Sequence, residues 1–294
     1  MNIFELPFQA IASQLLLGLV NGSFYAILSL GLALIFGLLN VGNFAHGAFY
    51  MLGAFATWMG AAYFGLGYWA MLLIAPVLVA GLGLAVERSM LRPLYKLDHL
   101  YGMMLTFGLT LLLEGALRLF FGVSGQPYNV PSSLSGGIDL GFMILPKYRA
   151  WVVVISMTVC FSTWYAIERT KLGSYLRAAI ENPRLVGAFG INVPLIRSAV
   201  FAFGVGLAAF AGVLAAPVVQ ISPLMGSTLV IVVFAVVVIG GMGSIIGAIV
   251  TGLVLGLIEG IARVVYPPGS YMVVYVVMIL VLLIKPAGLF GRES

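Results

Sequence analysis

Charge is what this chain has least of. Only 8% of its 294 residues are Asp, Glu, Lys or Arg, and 62% are hydrophobic. A soluble domain carries roughly 25% charged residues and about half apolar ones. A single cysteine, Cys160, excludes an internal disulfide, and in its apolar segment it reads as a small packing residue. The two histidines, His46 and His99, lie far apart in sequence, and no Cys/His cluster has the spacing of a metal site. The four lysines (Lys96, Lys147, Lys171, Lys285) are followed by Leu, Tyr, Leu and Pro, so no P-loop G-x-x-x-x-G-K-[ST] exists and ATP is not bound that way. G-x-S-x-G and H-E-x-x-H are missing too. These gaps argue against an enzyme and leave no catalytic residue, metal or cofactor to name.

Long apolar runs fill the space. They repeatedly approach the roughly 20 residues that cross about 30 Å of hydrocarbon as helix. In lipid each backbone N–H and C=O must be paired within the protein, which leaves helices or closed barrels. The short alternating segments of a barrel are absent. The chain therefore reads as one all-α, polytopic membrane domain over 1–294, with about 8–10 transmembrane helices. Nine segments stand out: 10–37, 44–64, 68–87, 101–121, 150–167, 198–216, 228–240, 244–264 and 271–285. The first lacks a basic flank and is too long for a signal-peptide core, so it reads as a retained helix, long enough to carry a kink.

Cations set the sidedness. Arg88, Arg92 and Lys96 crowd one loop, and Arg169, Lys171, Arg177 and Arg184 crowd 168–187. Lys285 and Arg292 mark the C-terminal tail. The segment 122–142 has no cation. With nine spans the N-terminus lies outside and the C-terminus inside, with Lys147 and Arg149 a mild exception. The net charge of +5 is thus a topology signal and not a nucleic-acid footprint.

Four features inside this frame are candidates for function. In LLNVGNFAHGAFYMLGA (38–54), the residues Asn40, Asn43, His46 and Tyr50 interrupt apolar sequence. Asn43, His46 and Tyr50 share a helix face if a helix starts near Asn43. Two readings fit: hydrogen bonds across a close helix contact, or a break at Gly42 whose polar face lines a substrate path. LEGALR (113–118) and IEGIAR (258–263) each place Glu four residues before Arg. Glu114–Arg118 and Glu259–Arg263 could neutralise one another, as snorkelling coincidence or as traces of an internal duplication. GGMGS, with Gly240, Gly241, Gly243 and Ser244, reads as a break between two spans, and the glycines beyond it suit close packing. Finally, 172–197 reads as an amphipathic helix-turn-helix at the membrane face, with Gly190 suited to a C-terminal cap. It fits either anionic headgroups or a cytosolic partner.

Three stretches, GLALIFGLLNVGNFAHGAFYMLGA (31–54), GSYLRAAIENPRLVGAFGI (173–191) and VVIGGMGSIIGAIVTG (237–252), carry a resemblance. In order and spacing they resemble the permease subunits of branched-chain amino-acid ABC importers, in particular the smaller of the two. The resemblance covers nearly the whole chain and implies an ABC importer permease fold in a bacterial or archaeal cytoplasmic membrane. It further implies a second, different permease, two cytoplasmic ATPase subunits and an extracytoplasmic binding protein as partners. Leucine, isoleucine and valine are the implied cargo, with urea, amides and other amino acids as alternatives in the same class. Within 168–197, Gly173, Arg177, Ala178, Glu181, Asn182 and Gly190 map onto the family's ATPase-coupling segment. Our own inference adds Asn43 and His46 as a wall or gate between the two permeases. An ion-coupled secondary carrier is the reading from a different class, disfavoured because each intramembrane Glu has an Arg partner within its own helix.

Overall fold

The computed structural model describes residues 8–39 and 42–291, apart from the side chains of Leu38 and Lys96. Asn40 and Arg292 lie outside the described residues.

Each apolar segment becomes a helix. They are α1 (Phe8–Leu39), α2 (His46–Phe64), α3 (Tyr68–Val86), α4 (His99–Phe121), α5 (Lys147–Glu168), α8 (Val193–Ala215), α9 (Met225–Gly240), α10 (Ile245–Val265) and α11 (Val273–Ile284). Two shorter helices, α6 (Lys171–Glu181) and α7 (Pro183–Ala188), lie between α5 and α8. Among the described residues seven helical stretches are long and apolar enough to span a membrane. The less apolar α2 has 19 residues and α9 has 16. The first span is one helix of 32 residues. The cation-free segment carries a small antiparallel hairpin, β1 (Gly137–Asp139) with β2 (Ile144–Pro146), and Gln126 bridges to Ile221.

The central helix is α1, whose span is 83% buried, whereas those of α4 and α5 are 22% buried. Hydrophobic residues such as Leu112, Leu119 and Phe120 on α4 and Leu283 on α11 face outward. An apolar exterior around a packed interior is what a lipid solvent selects. The helices associate through small residues, because lipid supplies no hydrophobic drive between them. Antiparallel α1 and α10 meet at Gly18, Gly22, Gly256 and Gly260, where added Cβ atoms would strike the facing backbone. On α1 and α8, a Cβ on either Gly31 or Gly204 would come within 2.7 Å of the other's carbonyl oxygen. Hydroxyls add cross-links, as where Ser29 Oγ donates to the Ala248 carbonyl at 3.1 Å.

Candidate functional site

The segment between α5 and α8 folds as its sequence suggests, because each turn carries its own cap. Thr170 Oγ1 accepts from the Leu172 N–H, Asn182 Oδ1 from Leu185 and Asn192 Oδ1 from Leu195, opening α6, α7 and α8 in turn. Such caps satisfy donors that a helix leaves orphaned. Pro183 occupies the first turn of α7, and Gly190 follows that helix with φ +83° in the left-handed region. Gly173 and Ala179 of α6 are buried, while the apolar Leu172, Tyr175 and Ile180 stay exposed beside Glu181, so the apolar face of this helix is only partly covered by the rest of the chain.

The inward face of α6 closes a crevice of about 550 Å³. Gly173 and Arg177 form one wall, Gly37 of α1 and Val200 of α8 another, and Gly243 and Ser244 the third. Two features far apart in sequence, the amphipathic segment and the GGMGS break, thus share one cavity. The junction is tight at Gly173, where a Cβ would overlap the Ile167 carbonyl oxygen at the end of α5. Arg177 pairs with Glu168 at 3.3 Å across the α5–α6 corner. Ala178 packs with Ala179, Val186 and Val193 in a small core of its own. Glu181, Asn182 and Gly190 lie on the exposed side, away from the crevice.

The break between α9 and α10 is real and rigidly held. Gly241 and Gly243 have φ +96° and +84°, a region where a side chain would be strained. Ser244 Oγ caps α10 by accepting from the Gly247 N–H at 3.1 Å, while Gly240 packs directly on Gly247. The last carbonyls of α9, Ile239 and Gly240, accept from the N–H groups of Leu289 and Phe290 at 2.8 and 3.1 Å. The C-terminal tail is therefore stitched to the break.

The opening polar stretch is elsewhere. The helix begins at His46 and not at Asn43, whose carbonyl accepts from the His46 N–H at 3.2 Å. His46 Nε2 lies 2.9 Å from the Leu28 carbonyl oxygen, about three turns short of the end of α1. The chain has thus turned back into the bundle before α2 starts. Asn43, His46 and Tyr50 are buried inside the chain and not presented on a face open to a second permease. Neither amide atom of Asn43 finds a hydrogen-bond partner among the described residues. Thr106 of α4, which sequence reasoning passed over, braces this turn. Its hydroxyl accepts from the Phe44 N–H at 3.1 Å and lies 3.0 Å from the Met103 carbonyl oxygen. Thr106 and Thr110, four apart in an apolar helix, were the available signal.

The two Glu–Arg sequences have different fates. Arg263 meets Glu259 at 2.6 Å, and the Tyr25 hydroxyl donates to the same carboxyl at 2.7 Å. The paired arrangement expected for Glu114 and Arg118 does not form. Glu114 is buried with Oε1 unpartnered, while Arg118 is exposed. Four residues turn a helix by about 400°, so the longer Arg side chain can leave for the polar boundary from a position only slightly rotated from the Glu. Glu87, another missed residue, accepts from the Tyr95 and Ser198 hydroxyls at 3.0 and 2.5 Å, linking the end of α3 to α8.

A family profile described as "Branched-chain amino acid transport system / permease component" matches residues 14–282. The high-affinity branched-chain amino acid transport permease BraD of Pseudomonas aeruginosa is 30% identical over 96% of both chains. The corresponding LivH of Escherichia coli K12 is 28% identical, again over 96% of both. The LivM permease of the same organism is 28% identical over 75% of this chain and 57% of its own length. No solved structure matches. With a bundle of long apolar helices on one side and this coverage on the other, the chain belongs to the family of branched-chain amino-acid transport permeases.

Proposed function

We propose that this chain forms half of the translocation path of an ATP-driven importer for leucine, isoleucine and valine. It would work beside a second, different permease in the cytoplasmic membrane of a bacterium or archaeon. Of two ATPase subunits beneath the pair, one would dock on α6 and α7 of this chain, and a binding protein would deliver the solute from the other side. Similarity to both LivH and LivM of one organism supports the paired permeases. The absence of a P-loop from the sequence supports placing hydrolysis on other chains. A path poor in charge suits small zwitterions, and urea or amides remain the alternative cargo of the same class.

One observation carries the coupling role: the inward face of α6 and the α9–α10 break line a common crevice. A push on the exposed face of α6 would reach Gly37, Gly243 and the tail without passing through a loop. Rigid elements in contact transmit such displacements as whole-body tilts. Substituting Arg177 or Glu181 by alanine should cut uptake about tenfold, the scale of one lost charge-assisted contact, with the chain's abundance and ATP hydrolysis retained. Uptake at the wild-type rate in both variants would remove this role.

The buried Asn43 joint suits a moving part of the path better than its wall. A buried amide without partners costs about 1–3 kcal/mol, and another conformation could recover that loss. Asn43→Leu should therefore raise thermal stability in detergent while slowing uptake. A variant that is both less stable and fully active contradicts this assignment.

One observation favours the carrier reading, the unpaired Glu114 Oε1. Uptake by the chain alone, driven by an ion gradient without ATP and lost in Glu114→Gln, would establish it.

A further inference from the structure

We propose that Arg92, Arg184 and Arg197 form a binding site for the phosphate group of an anionic phospholipid. The three line one cavity of about 270 Å³, between the helical turns over 87–96 that follow α3, the start of α7 and the start of α8. Among the described residues none of them forms an ion pair. The only acid in the wall is Glu87, and both its oxygens already accept from Tyr95 and Ser198. The guanidinium of Arg197 lies 6.0 Å from the Tyr95 ring centroid, and its Nε is buried without a partner among the described residues. Three cations thus face one occupied carboxyl, an arrangement that asks for an anion. Basic pockets between spanning helices near the membrane surface take lipid headgroups. The surroundings favour a lipid over a soluble anion. Leu195, two residues before Arg197, and Leu97, two residues after Tyr95, are each more than half exposed, and would suit acyl chains beside the phosphate.

Native mass spectrometry of the purified protein, delipidated and then titrated with phosphatidylglycerol or phosphatidylcholine, tests this. The wild type should retain phosphatidylglycerol preferentially. Arg184→Gln and Arg197→Gln should each weaken retention about five-fold, the effect of one arginine near an anionic surface. Arg149→Gln, with the same change in charge at the far end of α5, should not. Arg184 is exposed at a helix start, so its variant keeps the test valid if Arg197→Gln misfolds. Equal retention of the two lipids, or wild-type retention in Arg184→Gln, overturns the proposal. So does displacement of phosphatidylglycerol by millimolar inorganic phosphate, which would mark a site for free anions.

Discussion

Alanine at Gly173 should cost more transport than any other single methyl group added to α6. Its Cβ would overlap the Ile167 carbonyl oxygen, a backbone atom that cannot rotate aside. Either α6 shifts away from α5 or the corner unwinds. Overpacking of this kind costs about 1–3 kcal/mol and occasionally more. Both outcomes open the crevice wall and pull Arg177 from Glu168, now 3.3 Å apart. We expect uptake to fall more than about tenfold, while ATP hydrolysis by the assembled importer continues uncoupled. Ser174→Ala, exposed next door, should be close to neutral. Parallel assays of uptake and hydrolysis in membrane vesicles separate loss of coupling from loss of protein. A fully active Gly173→Ala would mean that the α5–α6 corner does not transmit force.

The second large effect lies at the other end of α10. Arg263→Ala should destabilise the fold by about 3 kcal/mol, because it strands the buried Glu259 carboxylate. Tyr25 would still donate, but a neutral hydroxyl replaces no charge. Contact of the guanidinium with the Tyr271 ring, 5.7 Å from its centroid, would also be lost, a further contribution of about 0.5–1 kcal/mol. Adding Glu259→Gln to the Arg263→Ala background should restore most of the stability, since the stranded charge disappears. Thermal unfolding in detergent reads both variants. If the double variant is no more stable than the single one, packing and not charge holds this end.

What the sequence revealed depended on how local each signal was. The nine apolar segments follow from runs of hydrophobic residues, and each corresponds to a helix, seven of them long and apolar enough to span a membrane. The turn at Asn182 and Pro183 and the end at Gly190 were equally legible, because capping is decided within a few residues. The GGMGS break was legible for the same reason, with Gly241 and Gly243 taking the conformations that glycine permits. Contacts across the bundle were not. Nothing near Thr106 announces that its hydroxyl meets Phe44, and nothing near Glu87 announces Ser198. Helix spacing permits Glu114 to meet Arg118 just as it permits Glu259 to meet Arg263. Only the second pair has a tyrosine from α1 to fix its carboxylate. The burial of Asn43 and His46 was likewise beyond sequence reasoning, since it depends on the chain re-entering the bundle before α2.

Site-specific crosslinking from position 181 tests the central claim most directly. A cysteine at Glu181, in a chain whose buried Cys160 is replaced by serine, would be crosslinked in native membranes and the adduct sequenced. The account predicts a partner carrying G-x-x-x-x-G-K-[ST], with a crosslink yield that changes when ATP is trapped. Adducts only to lipid, or only to another copy of this chain, with transport intact, would contradict it.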